Sequence, residues 1–237
     1  MNRFNHKLSL VMVAYTEVDI IEKVLRHYHD EIFMRAPRGS EFIVYLDGSN
    51  DGTAEVVAGL KKEFNLTVID CKVNKGYFIA AKTALSNARN EIVFFSDSSG
   101  KHNPQDFWVL AELIDDFDVV NGLRIGRTDI FYRRLLSFFH RFFVSILFMM
   151  PLHDYNSGFK LIRKKVLDDV LPECSTLPVT FSTEFLIRAY AKGYKIADAP
   201  VSFSHRNTEE RQFTLKKIPS VLWRQIKAYA KLRLELI

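Results

Sequence analysis

The sequence predicts an α/β domain with a mostly parallel sheet flanked by helices, and three observations lead there. Short β-branched runs alternate with helical patterns through the first half of the chain, the runs are apolar on both faces, and polar, often Gly-bearing turns follow them. With 237 residues, 48% of them hydrophobic, the chain suits one sizeable domain with a real core. LSLVMVA, at residues 8–14, reads as the first strand and residues 20–28 as an amphipathic helix. EFIVYL, at 41–46, reads as the second strand, before a helix opening at Thr53, whose hydroxyl suits a cap. LTVID (66–70) and EIVFFS (91–96) supply the third and fourth strands, around a helix at 77–88. DVVNGL (118–123) is the fifth, after a helix starting near Pro104, a residue favoured in a first turn. The second half is less regular.

In open sheets of this kind ligands sit beyond the carboxyl ends of the strands. Four such ends are polar here: Tyr15-Thr16-Glu17, then DGSNDGT from Asp47, then NKGY from Asn74, then DSSGKHNP from Asp97. Each alone is an ordinary turn sequence. Their recurrence at four consecutive strand ends predicts one shared cleft.

The ordered set AYTE, LDGSNDGT, NKGYFIAAKTAL, FFSDSSGKHNP, NGLR, DYNSGFKLIRKKVL and FSTEFLIRAYAKGYKIADAPV resembles family 2 glycosyltransferases. It is most similar to the dolichol-phosphate mannosyltransferase branch, which passes sugar to a polyprenyl phosphate. The resemblance runs over residues 8–206 and implies a GT-A, Rossmann-like fold, with residues 1–213 as the catalytic domain and 214–237 as a basic amphipathic helix. It implies an inverting transfer from a UDP- or GDP-sugar. Two alternatives stand beside it: transfer to a glycan or other hydroxyl acceptor, and a catalytically weak nucleotide-sugar-binding subunit.

Carried over residue by residue, Tyr15 and Glu17 match groups that hold the nucleotide base, and Asp47 matches an aspartate at the nucleoside. Thr16 stands where the family has Asn, and Leu46 replaces the first aspartate of DDGS. Asp51 suits a turn or the start of a helix. Lys75, before Gly76, fits a backbone close to the nucleotide. The family motif after the fourth strand, DADGQHDP, gathers a divalent metal; here it reads DSSGKHNP. Asp97 remains as a weak metal ligand, Ser99 replaces the second aspartate, and Lys101 replaces the glutamine. One carboxylate beside an ammonium makes a poor site for a hard cation, whereas lysine delivers positive charge to a diphosphate by itself. Magnesium or manganese is therefore optional rather than obligatory.

Arg124, Arg134 beside Arg133, and Arg206 match cations that surround the phosphates. Asp154 and Glu184 match acidic positions near acceptor and sugar; a buried salt bridge or a helix cap is the competing role for each. Asp154 would orient the sugar or an arginine, or serve as base toward a hydroxyl acceptor. A lipid phosphate is already anionic, so it needs no general base. His102 and His153 flank the cleft and suit structural hydrogen bonding.

The net charge of +5 fits phosphate-rich ligands, an anionic membrane or nucleic acid. No nucleic-acid readout motif occurs, and the basic residues form no dense stripe, so nucleic acid is excluded as a partner. Cys71 and Cys174 form no CxxC, which argues against a disulfide frame or a zinc site. LLSFFHRFFVSILFMMPL (135–152) is interrupted by His140 and Arg141 and falls short of a span of about 20 apolar residues. It reads as an interfacial helix. Residues 215–237 place Trp223, Ile226, Tyr229 and Leu234 at helical spacing among lysines and arginines, which suits anionic lipid or a membrane partner subunit. No signal peptide is evident. The expected location is the cytoplasmic face of a membrane, as a peripheral protein.

Overall fold

The computed structural model describes residues 4–126, 131–177, 179–204 and 218–236, and for 131–136 and 218–222 the backbone alone. Strand β1 is Leu8–Ala14, β2 Glu41–Asp47, β3 Leu66–Cys71, β4 Ile92–Asp97, β5 Val119–Ile125, β6 Lys160–Arg163 and β7 Ile196–Ser202. Helices are α1 Ile21–Glu31, α2 Thr53–Leu60, α3 Tyr77–Ser86, α4 Phe107–Ala111, α5 Phe131–Phe148, α6 Lys164–Val170, α7 Phe181–Ala191 and α8 Ile218–Glu235. The strands form one sheet in the order β3-β2-β1-β4-β6-β5-β7, with β6 antiparallel to both neighbours and the other pairs parallel.

The irregular second half thus resolves into an antiparallel insertion. Because β6 runs backwards, its first residue lies at the same edge as the carboxyl ends of β4 and β5, with Lys160 opposite Phe95 and Asn121. The loops after β1, β2, β3 and β4 and the loop leading into β6 open onto that edge. Side chains alternate across β1 as a pleated strand requires. Leu8, Leu10, Met12 and Ala14 join the core under α1, α2 and α4, while Val11 and Val13 join the core under α3 and α5–α8. All seven residues of β1 are buried.

Two local expectations are corrected. Gly52, at φ +99°, caps α2 instead of Thr53, because the Thr53 hydroxyl donates to Asp51 and accepts from the Glu17 N–H. Pro104 opens a single 3₁₀ turn, Pro104–Asp106, capped by the Asn103 side chain, and α4 follows it. The boundary drawn at 213/214 lies outside the described residues. Helix α8 is packed on the domain: Tyr229 and Leu232 are buried in the main core, and Arg188 of α7 pairs with Glu235 at 2.5 Å.

Candidate active site

The order of β2, β1 and β4 places the ends of three adjacent strands around the point where the sheet's winding reverses, the usual crevice of such sheets. The loops after β1 and β2 are tied together there. Thr16 N–H donates to Ser49 Oγ at 3.3 Å, Glu17 N–H to Thr53 Oγ1 at 2.8 Å, and Val18 N–H to Asp51 Oδ2 at 3.2 Å. Burial opposes ionisation of Asp51, yet hydrogen bonds from Thr53 and Val18 hold its carboxyl below the usual range. Asp51 therefore has the turn-forming role expected of it. Tyr15 and Glu17 stand half-buried at this junction.

Asp47, expected to face the nucleoside, is 2% exposed and turned toward the protein. Its two oxygens accept from the N–H groups of Lys75 and Gly76 at 2.9 and 3.0 Å. It fixes the chain's path into α3 and leaves the Lys75 side chain exposed. The neighbouring turn has a strict need for glycine: a Cβ on Gly48, at φ +68°, would stand 2.3 Å from the Asn74 backbone nitrogen.

At the end of β4, Asp97 Oδ1 accepts from Ser99 N–H at 3.2 Å and from the Ser99 hydroxyl at 2.5 Å. Its Oδ2 lies 3.9 Å from His102 Nε2 and packs against Gly158, where a Cβ would approach to 2.9 Å. His102 does not hydrogen-bond as expected. It is buried, stacked on Phe159 and edge-on to Phe203, and neither ring nitrogen has a partner among the described residues. Burial, the largest influence, lowers its pKa. The half-buried Lys101 ammonium has no bonded partner among the described residues, while its carbonyl accepts from Ser204 N–H at 2.8 Å. This bond zips the turn to the end of β7.

A hard dication wants several oxygen ligands, carboxylates foremost. No three His, Cys, Asp or Glu side chains gather among the described residues, and the Ser99 hydroxyl is already spent on Asp97. The described donor set does not fit such an ion.

Across the cleft, Arg124 on β5 meets Asp154 in a two-pronged pair, Nε to Oδ2 at 2.6 Å and Nη2 to Oδ1 at 2.9 Å. Its guanidinium also lies 5.2 Å from the Phe203 ring centre. The pair fits both the arginine-orienting role and the buried salt bridge that the sequence left open for Asp154. Arg134 and its neighbour Arg133 fall in the backbone-only part of α5, and Arg206 lies outside the described residues.

Glu184 is corrected from catalytic candidate to framework. Fully buried, it accepts from the N–H groups of Ser175, Thr176 and Leu177 and from Arg188 Nε at 2.9 Å, which leaves its oxygens nothing to offer a substrate. Sequence reasoning missed Lys160, which is 2% exposed at the start of β6 and lies beneath the loop carrying Asp154. Burial is the main cause that brings its pKa down to about 7. The one sequence signal was a lysine interrupting the apolar run GFKLI.

Solved structures share this architecture. Glucosyl-3-phosphoglycerate synthase from Mycobacterium tuberculosis, solved with Mn2+, UDP and its glucosylated product, superposes with a TM-score of 0.68 at 19% identity over 96% of this chain and 80% of that one. Mannosyl-3-phosphoglycerate synthase from Rubrobacter xylanophilus gives 0.64 at 15% identity, over 97% and 75%. A dolichyl-phosphate hexose transferase of Haloferax volcanii is 27% identical over 86% of each chain. A dolichyl-phosphate β-glucosyltransferase of Trichomonas vaginalis is 27% identical over 83% of this chain and 65% of that one. The model of glycosyl transferase family 2 matches residues 9–171, from the second residue of β1 to the residue after α6, so it takes in the crevice turns together with Arg124 and Asp154: this chain is a glycosyltransferase of family 2.

Proposed function

We propose that the chain moves a sugar from a UDP- or GDP-sugar to a polyprenyl-phosphate-type lipid at a membrane surface. The observation that carries the acceptor class is the Arg124–Asp154 pair. Both oxygens of Asp154 are engaged by Arg124, which makes Asp154 a poor base for a hydroxyl acceptor and Arg124 a fixed cation for a phosphate one. A lipid phosphate carries its nucleophilic anion already, so catalysis reduces to alignment plus neutralisation of the leaving diphosphate. The nucleoside would lie at Tyr15, Glu17 and the loop that Asp47 shapes. Lys101 and Arg124 would stand on either side of the diphosphate, with Ser99, Lys75, Arg134 and Arg206 as further contacts. The dolichyl-phosphate transferases among the relatives support the same acceptor class.

Two helices support a peripheral seat on the membrane. No described helix is long and apolar enough to cross it. Helix α5 instead exposes Phe138, Phe139, Phe142, Phe143 and Ile146 on one face, and α8 exposes Trp223 and Ile226 beside Arg224, Lys227 and Lys231. The two helices meet at Tyr229, which shares a 2.6 Å hydrogen bond with His140.

Transfer of labelled sugar from UDP- and GDP-sugars to polyprenyl phosphate in liposomes tests the reading. Arg124→Ala is expected to cost roughly 100-fold or more in turnover, since it removes a preorganised cation. Transfer to a soluble sugar hydroxyl, with none to the lipid, overturns it.

A further inference from the structure

A buried ammonium is costly, and a methionine would fill the same space without that cost. Lys160 is such an ammonium. Its Nζ donates to the Ser157 carbonyl and, at 2.5 Å, to the Ser182 hydroxyl, and that hydroxyl in turn donates to the Ser157 carbonyl at 2.8 Å.

Neighbouring groups of the loop are held by side chains as well. Asn121 Nδ2 donates to the Asp154 carbonyl at 2.7 Å and to Asp198 Oδ1 at 2.6 Å, and Thr183 Oγ1 donates to Asn156 Oδ1 at 2.9 Å. Lys160, Asn121 and Asp198 occupy one register row across β6, β5 and β7. Residues 154–158 are therefore gripped from below by side chains of β5 and β6 and of the first turn of α7, with Asp198 of β7 bracing Asn121.

That loop has two working ends. At one, Asp154 holds Arg124; at the other, Gly158 leaves the space that Asp97 Oδ2 occupies. A shift of the loop would move the cation and the carboxylate on opposite sides of the cleft together. We propose that Lys160 is a positioning residue for sugar transfer: its ammonium, with the Ser182 hydroxyl, fixes the 154–158 loop and through it sets Arg124 against Asp97. The proposal rests on the reading that this cleft transfers sugar. In this role Lys160, buried beneath the loop, acts through the loop and not by contact with donor or acceptor.

The experiment compares the full chain with Lys160→Met and Ser182→Ala, using the donor sugar nucleotide and polyprenyl phosphate in liposomes. Lys160→Met is expected to keep or raise the melting temperature at neutral pH and to leave the donor Kd within about twofold, yet to lower kcat roughly tenfold, because misplacement rather than lost binding is the defect. Ser182→Ala is expected to lower kcat in the same direction, and the double variant to be no worse than Lys160→Met, as for residues acting through one unit. A kcat within about twofold of wild type in Lys160→Met overturns the proposal. Should that variant fail to fold, wild-type kcat in Ser182→Ala overturns it instead. A wild-type chain that glycosylates only hydroxyl acceptors defeats the acceptor reading, and the same kcat comparison is then made on that reaction.

Discussion

Lys101 brings an ammonium to the turn after β4, and no described side chain neutralises it. Donor binding and turnover are therefore expected to survive EDTA, and Lys101→Ala to lower turnover roughly tenfold or more, as for loss of one electrostatic contact. Ser99→Asp with Lys101→Gln is expected to introduce dependence on a divalent ion. Complete loss of donor binding in EDTA, restored by manganese, overturns this account. Local proximity was legible in the sequence, since Asp97, Ser99 and Lys101 share one turn, but the end of β5 was not: the strand read as 118–123 runs on through Arg124 to Ile125. Lys160, Asn121 and the Ser182–Thr183 pair were not, because their meaning arises only when β5, β6 and α7 come together from positions as distant as 121 and 183. Glu184 was placed among the catalytic candidates for a related reason: beside Arg188, most of its partners are backbone N–H groups, which carry no sequence signature.

At the scale of elements, α5 and α8 meet at Tyr229, and the proposed membrane seat would draw on a different attraction from each. Phenylalanines on α5 suit the acyl boundary, and the cations of α8 suit anionic headgroups. Deleting α8 would be a poor test, because Tyr229 and Leu232 belong to the core and Glu235 pairs with Arg188. Reversing its exposed charges is cleaner. Arg224→Glu with Lys227→Glu is expected to release the protein from liposomes rich in anionic lipid, to remove most of the salt dependence of binding, and to leave the melting temperature nearly unchanged. Co-sedimentation equal to wild type would exclude α8 from the contact. The strands of the first half were legible because each is a short apolar run ending in a polar turn. The four-residue β6 was not, since KLIR is too short for a period to show and its pairing depends on β4 and β5.

For the molecule as a whole, Lys160 writes its burial into the pH dependence of stability. Its pKa of about 7 in the fold lies below the ordinary 10.5 because burial lowers it, with Arg124 acting in the same direction and Asp154 and Asp198 opposing both. Between those values the unfolded chain binds a proton that the native chain does not, so this group makes stability rise with pH across that window. Below about 7 both states are protonated and the cost of the buried charge is felt in full. The difference between wild-type and Lys160→Met melting temperatures is expected to be largest near neutrality and to shrink toward pH 10; a constant difference would contradict it. The strand order has a consequence of another kind. With β6 set backwards between β4 and β5, the described turns after β1, β2 and β4 come from residues before 104, and the Arg124–Asp154 pair comes from residues after 118. On the proposed reading, what is given and what receives it are thus met by consecutive stretches of the chain that lock together across the crevice, Gly158 against Asp97 and Ser204 on the Lys101 carbonyl, so that a substitution altering one preference is felt by the other.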